Sequence, residues 1–425
     1  MPTSSYPRHP APPITPRFGA TVSRRAAERL LAGHVWVYQS DVLAMGGPGG
    51  KEEAVAPGLV PVHDQGGRML GTALWSPTSQ ISLRLVSREH LDPTAWIPLL
   101  RQRLQAAFER REALLDEGTD SCRLVFSEAD ELPGIIIDKY AGIAVFQLLA
   151  AGLDTAAVRE AVVEELSTGI AGLRTVLERP DPRIRELESL AAPALGPLWS
   201  ATGPLEDAET ANEFRLNGLR FHHDSNAGQK TGAFLDQRLN YRLAAQYGHG
   251  EALDVCTYQG GFALHLATTC RSVTGLDTSE AALEVAERNL ELNREALGGI
   301  EVDWVKGDAF AVLRDWSDNG SEYDTIVLDP PAFAKTKRAA DNAMRGYKEL
   351  NLRAFQMLRP GGTLVTCSCS HHVSLQDFQD VVAAAAGDAG RRVRLVERTG
   401  AALDHPVILT IPETEYLKCL VLEVE

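Results

Sequence analysis

The chain has 425 residues, with 42 lysines and arginines against 57 aspartates and glutamates, which gives a formal net charge of −15. Hydrophobic residues make up 44% and charged residues 23%. This composition excludes wholesale disorder and is enough for about two or three globular domains. The acidic total also argues against a protein that coats nucleic acid through many phosphate contacts, but it leaves room for a local basic site.

Cysteine usage and hydrophobic runs indicate the compartment. Six cysteines in a chain of this length are too few for a disulfide framework. The N-terminus lacks the apolar run of a secretory signal, and no stretch approaches the ~18 consecutive apolar residues of a membrane span. We therefore expect a cytoplasmic protein without a membrane partner.

The first half of the chain divides into three predicted segments. Residues 1–18 hold six prolines and no acid, which indicates a disordered, mildly basic tail. Residues 19–92 are rich in strand patterns and carry a hairpin signal at Gly66-Gly67, which predicts a small β-barrel or sandwich. Residues 93–205 begin with a long amphipathic helix over 93–118 and continue with short strands and a helix, which predicts an α+β middle domain.

Residues 206–425 predict a different architecture. They open with a hairpin pattern at 212–224, where Asn217-Gly218 suits the positive φ angles of a type I′ turn. From about residue 250, strand and helix patterns alternate. Such alternation predicts a doubly wound α/β sheet with mostly parallel strands.

Four acidic residues stand at or beside the ends of successive predicted strands. These are Asp254, Asp277, Asp308 and Asp329. Because ligands bind beyond the carboxyl ends of parallel strands, we expect the four side chains along one edge, beside the Gly260-Gly261 loop. For any single aspartate, a helix-cap role is the alternative.

The chemistry of this edge limits the ligand. Four carboxylates would repel a pyrophosphate, and the dinucleotide fingerprint G-x-G-x-x-G does not follow the first strand. A ligand with hydroxyl groups, an amino group and a positive charge suits the edge better. S-adenosylmethionine has all three, through its ribose, its methionine end and its sulfonium.

Several motifs carry a resemblance to a known family. They are QKTGAFLDQR (229–238), YQGGFA (258–263), LDPPAF (328–333), RGYKELN (345–351), TCSCS (366–370) and DHPV (404–407). With them, the chain resembles class I S-adenosylmethionine-dependent methyltransferases, and more closely the RlmI-type 23S rRNA 5-methylcytosine methyltransferases, over about residues 19–425. The resemblance implies a PUA-like RNA-binding domain at 19–92, an α+β middle domain at 93–205 and, over 206–425, a Rossmann-like domain with a mostly parallel seven-stranded sheet.

The resemblance also implies the cofactor, the partner and the residues that hold the cofactor. The cofactor is S-adenosylmethionine, and the partner is large-subunit ribosomal RNA, either naked or in an assembly intermediate. A homodimer is left open. The implied cofactor-binding residues are Asp254, Tyr258, Gly260, Asp277, Asp308 and Asp329.

Methylation of cytosine C5 requires a thiolate that adds to C6, because C5 alone is a poor nucleophile. The TCSCS motif supplies Cys367 and Cys369, and Cys369 aligns with the nucleophile of the family. Two other interpretations remain: both cysteines are buried apolar residues of a strand, or they bind zinc with His371 and His372. The Cys-x-Cys spacing is tighter than that of usual zinc sites, so we predict no metal.

The loop after the fourth strand has implied roles in base recognition. By resemblance, Asp329 binds the N3 edge of the cytosine, and Phe333 stacks on the extruded base. Other RNA 5-methylcytosine enzymes carry Pro-Cys in this loop, whereas position 332 here is alanine. Product release must therefore use another group, which the sequence does not identify.

Basic and aromatic residues are the candidate RNA contacts. The segment 335–353 has six basic and two acidic residues, so we expect phosphate contacts there, with a solvated helix face as the alternative. The candidates are Lys335, Lys337, Arg338, Arg345 and Lys348, together with Lys230 and Arg238 of the first motif. In the N-terminal segment, Trp36, Tyr38 and Trp75 either stack on RNA or fill a β core.

Three functions remain in competition. The favoured one is a cytosine-C5 methyltransferase acting on ribosomal RNA. A guanine N-methyltransferase would share the cofactor site but would need no thiolate, so Cys369 discriminates between the two. A non-catalytic RNA-binding or ribosome-assembly factor is the third.

Overall fold

The computed structural model describes residues 18–47, 54–191, 196–226, 232–333 and 340–425. Most of the predicted tail and the candidate RNA contacts Lys230, Lys335, Lys337 and Arg338 lie outside these ranges. Within them, the strands form three large sheets and one separate hairpin. No helix in the described ranges is long and apolar enough to cross a membrane.

The N-terminal sheet follows the strand patterns of the first predicted domain. Its described elements are β1 (Gly19–Val22), α1 (Arg24–Leu31), β2 (Trp36–Tyr38), β3 (Val42–Gly46), β4 (Gly58–His63), β5 (Met69–Trp75) and β6 (Ile81–Ser87). The strand order is β2-β6-β5-β4-β1-β3. The predicted hairpin is confirmed, because β4 and β5 pair antiparallel on either side of Gly66-Gly67. Apolar side chains such as Val62 and Leu83 fill the core of this region.

A middle sheet of five described strands follows, with helices along one side. Its elements are α2 (Trp96–Glu112), β7 (Ser121–Phe126), β8 (Ile135–Tyr140), β9 (Ile143–Leu148), α3 (Ala156–Gly169), β10 (Thr175–Glu178), α4 (Pro182–Leu187) and β11 (Gly196–Ser200). The order is β11-β10-β9-β8-β7. The helix predicted over 93–118 is α2, which buries Leu100, Leu104 and Phe108 in the same core as residues of α3.

A two-stranded hairpin connects the middle sheet to the rest of the chain. It consists of β12 (Ala211–Leu216) and β13 (Leu219–Asp224), which pair antiparallel in unbroken register. Asn217 and Gly218 have φ angles of 53° and 88°, as the type I′ turn requires. The hairpin prediction is therefore confirmed. Phe214 of β12 packs edge-on against Tyr140 of β8, so the hairpin is also packed against the middle sheet.

The largest sheet is the predicted α/β sheet. Its described elements, with the helix α5 that precedes it, are α5 (Arg238–Tyr247), β14 (Glu251–Val255), α6 (Gly261–Leu266), β15 (Ser272–Asp277), α7 (Glu280–Asn293), β16 (Glu301–Lys306), α8 (Ala309–Asp318), β17 (Tyr323–Leu328), α9 (Ala340–Met357), β18 (Leu358–Ser368), α10 (Leu375–Asp388), β19 (Val393–Thr399) and β20 (Lys418–Val424). The order is β16-β15-β14-β17-β18-β20-β19. The Rossmann-like, mostly parallel seven-stranded sheet is thus confirmed.

Two features of this sheet position the site. The strand order reverses between β14 and β17, and the crevice at such a switch point is where α/β sheets bind ligands. In addition, β20 lies between β18 and β19 and runs antiparallel to both. β20 is not among the strands predicted from the sequence, although it begins beside the predicted catalytic cysteine.

Candidate active site

A cavity of about 840 Å³ lies at the carboxyl edge of the large sheet. One wall consists of residues that follow its strands, and they include Cys256, Thr257, Tyr258, Asp277, Asp329 and Cys369. The facing wall comes from the N-terminal and middle regions and from the segment before β20, with Trp36, Arg123, Phe126, Glu128 and Tyr416. The cavity is therefore lined by separate parts of the chain and extends beyond the switch-point crevice.

Asp254 is fully buried at the end of β14. Its Oδ2 accepts hydrogen bonds from the Thr257 hydroxyl at 2.5 Å and from the Ala263 N–H at 2.9 Å. Burial raises the pKa of this carboxyl to about 7, against the opposing effect of these hydrogen bonds. Its Oδ1 has no hydrogen-bond partner among the described residues. Asp254 thus joins the loop after β14 to the first turn of α6.

Asp277 organises the same loop from the neighbouring strand. Its Oδ2 accepts the Tyr258 N–H and its Oδ1 accepts the Ser279 N–H, each at 2.9 Å. Tyr258 has a φ of 51°, in the left-handed region, and its hydroxyl donates to the Gly232 carbonyl. Asp277 and Tyr258 both line the cavity, so the structure brings these two predicted residues together.

Gly260 and Asp308 have roles other than those predicted. A Cβ at Gly260, whose φ is 83°, would lie 3.0 Å from the Trp304 ring. The absence of a side chain at Gly260 therefore allows this loop to pack closely against Trp304. Gly260 does not line the cavity. Asp308 is exposed and caps α8 by accepting the Ala311 N–H at 3.0 Å. For Asp308, the helix-cap alternative is the one that the structure supports.

The two cysteines of the TCSCS motif differ in access. Cys369 is partly exposed and lines the cavity, where its thiol donates to the Pro330 carbonyl at 3.8 Å. Cys367 is fully buried on β18, directly opposite Cys419 of β20. The hydrogen bond with Cys419 and burial raise the pKa of Cys367 well above its usual value. Of the two, only Cys369 can meet a ligand in the cavity.

Cys256 is a second cysteine in the cavity wall, and the sequence analysis did not single it out. It follows β14 with a φ of 64°. Burial raises the pKa of this thiol well above its usual value, and the carboxylates of Asp277 and Asp329 raise it further. A thiolate is therefore strongly disfavoured at Cys256.

Asp329 is held in the cavity wall by residues of the first motif and α5. Its Oδ1 accepts the Gln237 Nε2–H at 2.9 Å. Gln237 in turn accepts the side-chain N–H of Asn240 at 2.6 Å, and both amides are buried. The motif QKTGAFLDQR thus contributes by orienting Asp329, and Gln237 is a site residue that the sequence analysis missed.

Asp404 of the DHPV motif connects the large sheet to the middle sheet. It is fully buried, accepts the Arg123 N–H of β7 at 2.9 Å and lies 3.6 Å from the guanidinium of Arg238. Burial alone would raise the pKa of Asp404, but the hydrogen bond from His405 and the charge of Arg238 hold it at about 2. Asp404 is therefore a buried anion shared by two regions of the chain.

Comparison with known proteins agrees with this architecture. A family model described as an S-adenosylmethionine-dependent methyltransferase matches residues 187–414, and a PUA-like domain model matches residues 20–88. The chain is 35% identical over 424 residues to the Ribosomal RNA large subunit methyltransferase I of Salmonella arizonae and to that of Salmonella typhi, with 98% of each chain covered. The chain belongs to this methyltransferase family.

Solved structures show the same fold at low sequence identity. A SAM-dependent methyltransferase from Streptococcus mutans has a TM-score of 0.77 at 17% identity, covering 96% of this chain and all of its own. A methyltransferase complexed with SAH has a TM-score of 0.78 with the same identity and coverage. These similarities concern the fold alone.

The methyltransferase uses S-adenosylmethionine as its cofactor, and the residues of the site fit this molecule. The carboxylates of Asp277 and Asp329 line the cavity and suit a ligand with a cationic sulfur, an amino group and ribose hydroxyls. The buried Oδ1 of Asp254, beneath the same loop, is an acceptor without a hydrogen-bond partner in the part of the chain that the structure describes. The cavity also extends beyond these residues to Cys369 and to the facing wall.

Two predicted RNA contacts of the methyltransferase, Arg238 and Phe333, lie away from the cavity. Arg238 is buried, donates to the Ser121 carbonyl and faces Asp404, so it is an internal residue. Phe333 packs against Phe310 and Tyr347, with ring centroids 5.8 and 4.9 Å away, and does not line the cavity.

The other described candidates remain at the surface or in the N-terminal region. Arg345 is exposed on α9, and Lys348 pairs with Asp388 at 2.7 Å. Trp75 is buried in the N-terminal core, and the Arg29 guanidinium lies over the ring of Tyr38. Trp36, in contrast, lines the cavity and donates its indole N–H to Glu128 at 2.8 Å.

Proposed function

We propose that this protein methylates C5 of a cytosine in large-subunit ribosomal RNA through a transient covalent bond between Cys369 and C6. The observation that carries the proposal is the position of Cys369, partly exposed in the cavity wall near the loop of Asp329. Cys367 is buried, and the thiolate form of Cys256 is disfavoured. A guanine N-methyltransferase would have no need of a thiol in this position.

The proposed reaction begins with addition to the base. The Cys369 thiolate attacks C6, which makes C5 nucleophilic. C5 would then take the methyl group of bound S-adenosylmethionine, and S-adenosylhomocysteine would leave. Addition places negative charge on the pyrimidine ring at N3. Asp329, oriented by Gln237, donates a proton to N3 as the thiolate adds and takes it back when the thiolate leaves.

Release requires removal of the C5 proton and expulsion of the thiolate from C6. Ala332 stands where other RNA 5-methylcytosine enzymes carry a loop cysteine, so another base must act. Among the described residues that line the cavity, His371 is the one imidazole, two residues after Cys369. We assign proton removal to His371, since a histidine base suits neutral pH.

The facing wall of the cavity supports an RNA substrate. Arg123 lies over the ring of Phe126 at 5.5 Å, and Phe126 packs against His405 and Tyr416, with ring centroids 5.1 and 6.3 Å away. Rings and guanidinium planes of this kind stack on unpaired bases. The N-terminal region contributes Trp36 to the same cavity, which supports joint binding of one RNA segment by both regions.

The relatives that carry the name Ribosomal RNA large subunit methyltransferase I support the choice of RNA. We propose a PUA-like domain at 19–92, a middle domain at 93–205 and a methyltransferase domain at 206–425, acting in the cytoplasm. The remaining predicted phosphate contacts are Arg345 and the residues outside the described ranges, Lys230, Lys335, Lys337 and Arg338.

The test combines mapping of the product with trapping of the adduct. Unmodified large-subunit RNA is incubated with labelled S-adenosylmethionine, and methylated bases are located by mass spectrometry. RNA with 5-fluorocytosine is used in parallel, because fluorine at C5 blocks the release step. We expect 5-methylcytosine and a stable protein–RNA adduct with the wild-type protein, and neither with Cys369→Ala.

The matched control is Cys367→Ala, which removes the neighbouring buried thiol and should retain both signals. A methylated guanine as the product, or full turnover by Cys369→Ala, would exclude the proposed chemistry.

A further inference from the structure

Lys418, the first residue of β20, carries a buried ammonium group. The residue is only 4% exposed. Its Nζ donates to the Ser370 carbonyl at 2.7 Å and to the Tyr416 carbonyl at 2.8 Å. No carboxylate of the described chain lies within ion-pair distance of Nζ. The two carbonyls therefore fix the position of the ammonium but do not neutralise its charge.

An uncompensated buried cation is costly and requires a reason. Burial lowers the pKa of Lys418 to about 8, and the negative charge of an ionised Cys369 acts in the opposite direction. Near neutral pH the lysine is therefore still mostly protonated. Two groups in this part of the site supply negative charge to Nζ: the Cys369 thiolate, whose effect is the larger, and the Glu415 carboxylate. Cys369 directly precedes Ser370, whose carbonyl binds Nζ.

We propose that Lys418 is a positioning residue for the nucleophile: its buried ammonium, held by two backbone carbonyls at the end of β18, stabilises Cys369 as a thiolate. The inference rests on the proposed function, in which Cys369 attacks the base. It also gives a physical reason for the choice between the two cavity cysteines. Cys256 faces carboxylates, whereas Cys369 lies near a cation.

Other ionisable groups surround this pair. From the segment before β20, Glu415 favours the charged lysine and Tyr416 supplies one of the carbonyls. From the loop after β17, Asp329 opposes a thiolate, and Tyr347 of α9 interacts with the charges of both Asp329 and Cys369. His371 lies on the far side of Ser370 along the chain, in the cavity wall. Lys418 is the cation that is buried among them.

The test measures thiol reactivity in the full-length protein without RNA. Cys369 is alkylated with iodoacetamide between pH 5.5 and 9.5, and the modified peptide is quantified by mass spectrometry. In Lys418→Met, which keeps an unbranched side chain, we expect the midpoint of the rate profile to rise by about one to two pH units. The rate at pH 7 should fall about tenfold, and Lys418→Arg should restore part of it.

An unchanged profile in Lys418→Met would overturn the inference. Unchanged S-adenosylmethionine affinity serves as the control for folding. Because no RNA is present, this result is separate from the proposed function, which fails instead if Cys369→Ala retains turnover.

A second measurement does not depend on the folding of Lys418→Met. The titration of the Lys418 side chain is followed by NMR in wild type and in Cys369→Ser. Loss of the thiolate should move the midpoint of Lys418 downward by about one pH unit. The same midpoint in both proteins would equally overturn the inference.

Discussion

The two halves of the carboxyl edge of the large sheet hold their ionisable side chains in different ways. In the half formed by β14, β15 and β16, Asp254 and Asp277 accept backbone N–H groups of α6 and of the loop after β14. In the half formed by β17, β18 and β20, ionisable side chains such as Asp329, Cys369 and Lys418 are positioned by amides and carbonyls. The first half, called the binding half below, shapes a loop beside the cavity. The second half, called the reactive half, presents reactive groups.

A cysteine at a strand end of this sheet is therefore not a nucleophile by its position alone. Cys256 and Cys369 both line the cavity at strand ends of one sheet. Burial, and then the carboxylates of Asp277 and Asp329, disfavour a thiolate at Cys256. The second half places a buried cation near Cys369. Burial and the nearby cation together separate the two thiols.

The largest effect is expected at His371 in the reactive half. If His371 removes the C5 proton, His371→Asn should lower multiple turnover by about 10²- to 10⁴-fold. The methylated adduct should then accumulate as a protein–RNA band on a denaturing gel. His372→Asn is the matched control. His372 is the next residue in the chain, is exposed and does not line the cavity. If the slow variant showed no such band, proton removal would belong to another group.

Asp404 tests whether the reactive half depends on the middle sheet. Asp404→Ala leaves Arg238 buried without its carboxylate, so we expect a loss of about 3–5 kcal/mol in the free energy of unfolding, measured with urea. Asp388→Ala, which removes an exposed partner of Lys348, should cost less than about 1 kcal/mol.

The contribution of Asp404 should also depend on pH. Its folded pKa of about 2 lies below the unfolded value, so its stabilisation is present above about pH 4 and is lost as the pH falls towards 2. The stabilities of wild type and Asp404→Ala should therefore converge in acid. A constant difference between them at all pH values would contradict the assigned ion pairs.

Asp254 gives the corresponding test in the binding half, with the opposite sign. Its folded pKa of about 7 lies above the unfolded value, so its contribution to stability is present below about pH 4 and is lost as the pH rises through 7. Asp254→Asn should remove this dependence. Between pH 5.5 and 8.5, we expect the wild type to lose about 2 kcal/mol more than the variant. Equal losses would show that the carboxyl is already ionised at pH 5.5.

A further comparison in the binding half concerns Gly261, the first residue of α6. A Cβ at Gly261 would lie 2.5 Å from the Tyr241 ring, so Gly261→Ala should cost about 1–3 kcal/mol in thermal or urea unfolding and weaken cofactor binding. Gly387→Ala is the control, because nothing lies within 4 Å of its added Cβ on the exposed side of α10. It should stabilise by about 0.5–1 kcal/mol. If Gly261→Ala left the free energy of unfolding unchanged, the loop would be able to move away from the Tyr241 ring.

The sequence predicted the parallel part of the fold because its signals are local. Alternating strands and helices, the Asn217-Gly218 turn and the acids at strand ends can all be read within a few residues. Arg238 was misread as an RNA contact, because its partner Asp404 is distant in the sequence. Likewise, β20 gives no parallel-strand signal of its own, and its role appears only once it pairs with β18.

The order in which the strands are synthesised constrains how the large sheet folds. This strand is synthesised after the other six, yet it lies inside the sheet and is the strand that joins β19 to β18. The sheet therefore stays open on one side during translation, with β19 undocked, until the chain has passed residue 418. Since Lys418 begins β20, the thiol of Cys369 acquires its neighbouring cation only in this last folding step. On this basis, a nascent chain that already binds the cofactor would not methylate its substrate until β20 has paired with β18.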